Sequence, residues 1–167
     1  MTKTDKVTAW FTLWSISMLT WHTLHFSQLN TSELFKIMKA RVDVFVVEQN
    51  CAYPELDEKD IHPETLHLTG LIEGEIAAYA RLLPPGLSYP SVSIGRVLTT
   101  AGHRGKGLGH QLIAKALEVC EQSWPGVDIE IGAQEHLADY YQGYGFVATS
   151  TMYLEDGIPH IDMKLTR

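Results

Sequence analysis

Apolar residues recur at strand or helix spacing along most of the chain after residue 18. Aromatic and β-forming residues between Thr20 and Phe26 predict a first strand. Residues Asn30 to Ser32 can cap a following helix, and Glu33 suits its first turn. The helix should end or be distorted in VFVVEQ, because that segment is rich in β-branched residues. Its apolar positions fall on one face: Leu34, Phe35, Ile37, Met38, Val42 and Phe45.

Strand patterns and turn signals alternate through the rest of the chain. The runs LHLTGLI and EIAAYARLL predict a hairpin that turns at Glu73–Gly74, and VSIGRVL predicts the next strand. A helix, LGHQLIAKALEVCEQSW, stops at Pro125–Gly126 and precedes the strand VDIEIGAQ. HLADYYQGYG predicts a short helix ended by glycine. FVATSTMYLED and IPHIDMKL predict a last hairpin through Asp156–Gly157.

The resulting order of elements is β-α-β-β-β-α-β-α-β-β. It predicts the α+β class, with a mixed central β-sheet flanked by helices. The length of 167 residues fits one domain, which we expect to span residues 18–167. The first seventeen residues, MTKTDKVTAWFTLWSIS, show no clean periodicity and are too short and polar to cross a bilayer. We interpret residues 1–17 as an N-terminal extension, or as a start assigned upstream of an initiator at Met18.

Charge and cysteine content narrow the function classes. The chain has 13 basic and 20 acidic residues and a formal net charge of −7, which disfavours nucleic acid as a partner. Two cysteines, Cys51 and Cys120, do not make a disulfide framework, so we expect a reduced, cytoplasmic protein. The histidines show no paired spacing such as HExxH, so no metal is expected. No segment predicts a membrane partner, and the oligomeric state is left open.

The segment SIGRVLTTAGHRGKGLGHQLIAKAL joins a strand to a helix through a glycine-rich loop. Glycines let the backbone approach a ligand, and the helix start aims free N–H groups outward. Together with Arg104 and Lys106 they can cradle a pyrophosphate. A Walker loop would need a hydroxyl residue after the lysine, and a dinucleotide fingerprint would need GxGxxG in an opening βαβ unit. A glycine-rich connection without a ligand is the structural alternative.

Within this loop, Arg104, Gly107 and Gly109 follow the pattern R-x-x-G-x-G, which resembles the coenzyme A loop of the GNAT superfamily of N-acetyltransferases. The segment HLADYYQGYGF is similar to the closing helix of that family. RVDVFVVEQNCAYPELDEKD and YLEDGIPHIDMKL are similar to its ElaA branch. The resemblance covers about residues 18–167. The closing-helix positions that match are Ala138, Tyr141, Gly145 and Phe146.

The resemblance implies an acetyl-CoA-dependent N-acetyltransferase that moves the acetyl group directly to an amine of a small molecule or a peptide. It implies that backbone N–H groups at Val97 or Leu98 receive the thioester carbonyl and that Tyr141 protonates the leaving thiolate. A non-catalytic CoA-binding or interaction module on the same fold is the alternative. The expected cofactor-binding residues are Val97, Leu98, Arg104, Gly105, Lys106, Gly107, Leu108 and Gly109.

The residues expected to contact the amine acceptor are polar positions of the strand VDIEIGAQ and of the region after the first helix. Strand alternation puts Glu130 and Gln134 on one face, where Glu130 could act as a base and Gln134 could order the acceptor or a water. A solvent-facing polar row explains the same pattern. Glu48 and the acidic loop after it are candidates for bordering the acceptor site. For most residues of the acidic loop after it, through Glu55, Asp57, Glu58 and Asp60, a solvated loop is the expectation.

Arg96 is a further substrate-binding candidate. On a regular strand it would share a face with apolar neighbours, so its cation would interrupt an apolar row and need an acidic partner. Glu48 or Glu130 could be that partner, and a structural ion pair is the alternative. The apolar neighbours are Val92, Ile94 and Leu98.

Overall fold

The structure, a computed structural model, describes residues 18–167, so the extension 1–17 lies outside the described residues. The strands are β1 (Leu19–His25), β2 (Leu66–Ile72), β3 (Glu75–Leu83), β4 (Val92–Thr99), β5 (Ile129–Gln134), β6 (Val147–Ala148), β7 (Tyr153–Glu155) and β8 (Ile158–Leu165). The α-helices are α1 (Thr31–Arg41), α2 (Leu108–Ser123) and α3 (Ala138–Gln142). A π-helix spans Val42–Glu48, and short 3-10 helices span Phe26–Gln28, Glu58–Ile61, Ala101–His103 and Glu135–Leu137.

The predicted α+β class and element order are confirmed, with one difference near the C-terminus. The segment predicted as a single strand, FVATSTMYLED, forms β6 and β7, and both pair with β8. Between them Thr149 N donates to the carbonyl of Asp162 at 2.8 Å, and Ser150 Oγ accepts from the Asp162 N–H at 2.9 Å. These two contacts hold the intervening residues against β8 without a regular ladder, which divides the strand.

The sheet runs in the order β1-β2-β3-β4-β5-β8-β6, with β7 also beside β8. Its neighbouring strands are antiparallel except for the parallel pair β4–β5. That parallel pair is short, because only Val92–Ile129 and Ser93–Glu130 are in register. Beyond Ser93 the two strands separate, and their facing edges leave backbone groups without a strand partner. The sheet therefore opens at its centre.

Helix α1 begins where the sequence predicted. Asn30 Oδ1 accepts from the Glu33 N–H at 2.9 Å, and the Glu33 carboxylate accepts from the Asn30 N–H at 2.9 Å, which completes a capping box. At its other end the helix does not stop but widens into the π-helix Val42–Glu48. The predicted distortion of the β-branched segment is thus confirmed, and it carries Glu48 to the edge of the opening between β4 and β5.

Both faces of the sheet are packed. On one face α2 buries a large cluster that includes Leu82, Ile94 and Leu112. On the other face α1 and the π-helix bury a smaller cluster that includes Ile37 and Leu98. The two helices hold β1–β4 between them, and the opening beside β4 is left at the side of this sandwich.

Strand β4 carries a β-bulge. Leu98 pairs with Tyr79 and Gly95 pairs with Arg81, so two residues of β4 stand opposite one residue of β3. The two residues are Arg96 and Val97, and they face Ala80.

The bulge changes which residues share a face. Arg96 has a φ of +53°, in the left-handed region that non-glycine residues seldom adopt. As a result Ile94 packs in the cluster under α2, whereas Leu98 packs in the cluster under α1. The expectation that Val92, Ile94, Arg96 and Leu98 form one row is therefore wrong, because the extra residue inverts the alternation.

Two carboxylates of the acidic loop after the π-helix are buried, contrary to the expectation of a solvated loop, whereas Glu58 in the same loop is exposed as expected. Glu55 and Asp60 are 4% and 8% exposed, and Arg41, at the end of α1, is 1% exposed. Arg41 Nε lies 2.6 Å from Glu55 Oε1, and its Nη1 lies 2.6 Å from Asp60 Oδ1. A buried guanidinium is tolerated only when its charge is paired and hydrogen-bonded. The need to pair Arg41 therefore explains why Glu55 and Asp60 of this loop are buried.

Two further arginines extend this network. Arg81 contacts Asp57 at 2.7 Å and Asp60 at 2.8 Å, and Arg96 contacts Glu55 at 2.9 Å. The network thus sets three guanidinium groups against three carboxylates. We call it the arginine network; its charged members are Arg41, Arg81, Arg96, Glu55, Asp57 and Asp60.

His67 packs against the network in its neutral form. Its Nε2 lies 3.0 Å from the carbonyl oxygen of Asp60 and its Nδ1 lies 2.8 Å from the Tyr79 hydroxyl. Because a carbonyl only accepts, Nε2 carries the proton and Nδ1 accepts from the tyrosine. Burial, the largest cause, lowers the pKa of His67 below its ordinary value of 6.5.

We expect the free energy of unfolding to fall in two stages as the pH is lowered. Below pH 6.5 the unfolded chain protonates His67 and the folded chain resists. Although burial raises the pKa of Asp60, its hydrogen bonds and charge contacts with Arg41 and Arg81 outweigh this and lower it from 3.8 to about 2. The Asp60 contribution, about 2 kcal/mol, is therefore complete only above about pH 5 and is mostly lost by about pH 2.

Urea unfolding at a series of pH values measures this dependence. Asp60→Asn should reduce the lower stage, whereas Asp43→Asn, at an exposed aspartate paired with Lys39, should leave it unchanged. An unfolding free energy that does not change between pH 4 and pH 2 would contradict the role of the arginine network.

Candidate functional site

A cleft of about 1040 Å³ opens where β4 and β5 part. Its walls include residues 94–99 of β4 and residues 131–134 of β5. The π-helix, the loop after it, α3 and the β7–β8 hairpin supply the rest of the lining. The cleft therefore collects residues from segments distant in sequence around two unpaired strand edges.

Val97 and Leu98 lie in the cleft wall, at and after the bulge of β4. On the side facing β5, β4 has no strand partner beyond Ser93. Backbone N–H groups on that edge need an acceptor, and a ligand carbonyl in the cleft can supply one. This is the geometry that the predicted role of Val97 or Leu98 requires.

The predicted cradle lies where the glycine-rich loop enters α2. Gly105 and Gly107 have φ values of +77° and +74°, which glycine adopts without strain, and a Cβ on either would meet nothing within 4 Å. The first hydrogen bond into the helix runs from the Gln111 N–H to the Gly107 carbonyl at 3.3 Å. The N–H groups of residues 108–110 precede that bond and have no intrahelical acceptor.

Lys106 adds charge to this surface. Among the described residues it has no acidic partner within 4 Å. Free backbone donors, an open surface over two glycines and an unpaired ammonium fit a diphosphate. The residues that the sequence assigned to the cofactor here are thus brought together: Gly105, Lys106, Gly107, Leu108 and Gly109.

Arg104 points elsewhere, towards the π-helix. Its Nη1 and Nη2 lie 2.6 Å and 3.0 Å from the two carboxylate oxygens of Glu48, and its Nε donates to the Thr99 carbonyl at 3.0 Å. The hydrogen bond from Arg104 lowers the pKa of Glu48. Both side chains are exposed, so water screens the pair. A predicted cofactor residue and a predicted acceptor residue are here joined to each other.

Tyr141 of α3 lines the cleft and is 7% exposed. Its ring packs edge-on against Phe146 and Tyr140, with centroids 6.0 Å and 5.2 Å away. Burial raises its pKa to about 12, so the phenol stays protonated at neutral pH. Tyr140 and Tyr144 instead pack on His110, and neither lines the cleft. The structure thus separates Tyr141 from the other two tyrosines of the segment.

The two candidates on β5 have different positions. Gln134 lines the cleft and its Nε2 lies 3.4 Å from Gln49 Oε1. Glu130 is not among the residues that line the cleft; it stands beside Ser93, where β4 and β5 are still paired, and opposite Lys164. The strands part only after this position, which is why the structure does not bring Glu130 to the other candidates.

Arg96 lines the cleft but its partner differs from the expectation. Its Nε lies 2.9 Å from Glu55 Oε2, and neither Glu48 nor Glu130 contacts it. The correction follows from the bulge, which turns Arg96 towards the buried loop. The alternative of a structural ion pair therefore describes its contact.

Sequence reasoning missed a group in the cleft wall that we call the tyrosine–aspartate cluster: Tyr89, Tyr153 and Asp162. The hydroxyls of Tyr89 and Tyr153 donate to Asp162 Oδ1 at 2.8 Å and 2.9 Å. Burial and hydrogen bonding to Asp162 raise the pKa of both tyrosines. The three residues come from the β3–β4 loop, β7 and β8, so no local spacing could have revealed them.

Within residues 18–167, no helix is long and apolar enough to cross a bilayer. In the same range no group of histidine, cysteine and acidic side chains is arranged to hold a metal ion. Cys51 and Cys120 are free thiols.

Comparisons with known proteins agree with this architecture. The family model for the acetyltransferase (GNAT) domain matches residues 37–167. Protein ElaA of Escherichia coli is 42% identical over 146 residues, which are 87% of this chain and 95% of ElaA. The crystal structure of Escherichia coli ElaA superposes with a TM-score of 0.83 at 41% identity, over 88% of this chain and 99% of that one.

A second solved structure, an acyl-CoA N-acyltransferase from Pseudomonas aeruginosa, has a TM-score of 0.85 and 44% identity. The match covers 88% of this chain and 99% of the Pseudomonas chain. Sequence identity of 41–44% over nearly the whole domain shows membership of the same family, not only the same fold. This chain is therefore a member of the GNAT acetyltransferase family, on its ElaA-like branch, and its chemistry is acyl transfer.

Proposed function

We propose that the protein is an acetyl-CoA-dependent N-acetyltransferase that moves an acetyl group directly to the amine of a small molecule or a peptide. One observation carries this proposal. The parting of β4 and β5 puts an unpaired strand edge and the phenol of Tyr141 in the same cleft, beside Arg104 and the loop that enters α2. A binding loop alone would not need a buried acid aimed into the same space.

The cradle would hold the diphosphate of the cofactor, which supplies the acetyl group as a thioester. Residues 105–109 offer backbone N–H groups and Lys106 offers an ammonium, so both faces of the anion can be neutralised. Arg104 could also bind the diphosphate if its guanidinium exchanged the carboxylate of Glu48 for a phosphate oxygen. The open edge of β4 would then receive the acyl carbonyl, with Val97 or Leu98 donating to its oxygen as negative charge develops there.

Tyr141 would complete the reaction. As the amine nitrogen bonds to the acyl carbon, the carbon–sulfur bond breaks and Tyr141 gives its proton to the departing thiolate. A phenol with a pKa of about 12 is a weak acid for this purpose, but it carries its proton at neutral pH and lies in the wall of the same cleft. An amine that arrives protonated must shed one proton before attack and a second as the amide forms. A water ordered by Gln134 can accept them, and one of the two returns to the phenolate of Tyr141 while the other goes to solvent.

The direct test of the proposal is release of free CoA thiol from acetyl-CoA in the presence of a broad amine panel. Thiol release that depends on an amine, with an acetylated product found by mass spectrometry, is the expected result. Tight binding of acetyl-CoA without turnover on any amine would instead indicate a non-catalytic CoA-binding module.

Substitution of Gly107 tests the cradle. We expect Gly107→Asp to abolish measurable acetyl-CoA binding in calorimetry, because it sets a carboxylate against the diphosphate. Gly107→Asn is the matched control, since both residues tolerate a φ of +74° and a Cβ there meets nothing within 4 Å. The neutral variant should bind clearly better than the charged one. Equal affinities for the two variants would place the diphosphate elsewhere.

The ion pair between Glu48 and Arg104 competes with the proposed role of Arg104. Glu48→Gln should therefore tighten acetyl-CoA binding a few-fold, most visibly at low salt, because the guanidinium is released for phosphate. Glu118→Gln is the control, as Glu118 is also exposed and paired, with Lys115. Weaker binding in Glu48→Gln would mean that Glu48 holds Arg104 in its working position.

Tyr141→Phe tests the proposed role of Tyr141 as the proton donor to the leaving thiolate. The hydroxyl has no hydrogen-bond partner among the described residues, so its loss should change neither the melting temperature nor acetyl-CoA affinity. Turnover should fall by about 10²–10⁴-fold, the usual worth of a positioned proton donor. Tyr140→Phe and Tyr144→Phe should keep most of the activity, because those rings pack on His110. Wild-type turnover in Tyr141→Phe would refute the role.

A further inference from the structure

We propose that the tyrosine–aspartate cluster binds the amino group of the acceptor as a cation, so that the acceptor is a positively charged primary alkylamine. This inference rests on the proposed N-acetyltransferase function and names the substrate class of the same cleft. It is carried by the hydrogen bonding, the charge balance and the position of Asp162.

The hydrogen bonds of Asp162 leave one carboxylate oxygen available. Both tyrosine hydroxyls donate to Oδ1, at 2.8 Å from Tyr89 and 2.9 Å from Tyr153. No described residue donates to Oδ2. The tyrosines therefore fix the plane of the carboxylate from one side, and Asp162, which lines the cleft, keeps an acceptor for a ligand.

Several charges around the cleft are paired within the protein, whereas Lys59 and the exposed Asp156 have no oppositely charged partner within 4 Å among the described residues. Arg104 is paired with Glu48, and the arginine network balances its own cations and anions. Lys59 lies at the cleft and donates to Ser88 Oγ at 2.7 Å, and His160 lies 3.7 Å from Glu155. Among the described residues Asp162 has no cation within 4 Å. A half-buried carboxylate without a counter-ion favours a ligand that brings one.

Asp162 lies close to the proposed acyl-binding edge of β4. Asp162 is the register partner of Gly132 on β5, in the part of β5 that has separated from β4. A Cβ at Gly132 would stand 3.2 Å from both tyrosine hydroxyls and 3.7 Å from Asp162 Oδ1. The glycine lets the two hydroxyls and the carboxylate meet closely over the strand, whereas a side chain there would push the hydroxyls outward. The cluster thus lies on the strand that faces the acyl-binding edge of β4.

The surroundings of Oδ2 suit an alkylammonium. Tyr89 and Tyr153 both line the cleft, and aromatic rings attract cations through their faces. An acceptor that carries a carboxylate near its amine would meet Asp162 and be repelled. An uncharged aromatic amine would leave the carboxylate without its counter-ion.

The test is equilibrium binding, which does not depend on turnover. Calorimetry on the full chain saturated with CoA would use three cationic probes, spermidine, Nα-acetyl-lysine amide and benzylamine, with benzyl alcohol as the uncharged match for benzylamine. We expect at least one cationic probe to bind, benzyl alcohol not to bind, and the affinity of the bound probe to fall with added salt. Asp162→Asn should weaken that binding at least about tenfold, the order expected when a charged partner is lost.

Asp156→Asn is the matched control, because Asp156 also lines the cleft and is exposed. It should bind the probe like the unchanged protein, and Asp162→Glu should recover part of what Asp162→Asn loses. The inference is overturned if no cationic probe binds, if benzyl alcohol binds as well as benzylamine, or if Asp162→Asn binds like Asp156→Asn. Should the probes bind as expected while acetyl-CoA yields no acetylated amine, the proposed function fails and the cation site stands.

Discussion

Glu55 is shared between two arginines, and much of the molecule is held in place by that sharing. One of its oxygens faces Arg41, at the end of α1, and its carboxylate also contacts Arg96, at the bulge of β4. A single buried anion thereby joins the first helix, the loop after the π-helix and β4, the strand that carries the proposed acyl-binding edge. Arg96 sits in an unfavourable backbone region, and its ion pair offsets part of that strain.

The cleft is the part of the sheet where strand pairing is lost. Where β4 and β5 remain in register, the sheet is an ordinary packed sheet; where they part, two rows of backbone groups lose their partners. Arg104, Tyr141 and the tyrosine–aspartate cluster all line this cleft. Strain in the bulge and unpaired strand edges are costs to stability, and both lie at the proposed site of reaction.

The sequence predicted the parts of the fold and of the site that local patterns encode. The capping of α1, the hairpin of β2 and β3 and the glycine loop before α2 each depend on neighbouring residues, and each is found in the structure. The family resemblance is confirmed as well. The bulge of β4 was not predicted, because a valine and an arginine give no local sign of an extra residue in a strand.

The burial of Glu55 and Asp60 and the tyrosine–aspartate cluster were missed for another reason. A run such as ELDEKD is typical of solvated loops, and only the approach of Arg41 and Arg81 from other elements makes burial of these two carboxylates favourable. Likewise Tyr89 and Asp162 are 73 positions apart in the chain. Contacts of this kind are properties of the topology, which composition and spacing do not record.

The pairing of Arg104 with Glu48 makes the two halves of the cleft thermodynamically dependent on each other. One guanidinium cannot hold both oxygens of Glu48 and a phosphate with the same donors. Any anion that captures Arg104 therefore frees the carboxylate of Glu48, and any cation that captures Glu48 frees the guanidinium of Arg104. Linkage then requires the two effects to be equal, so an anion on Arg104 and a cation on Glu48 must raise each other's affinity by the same factor.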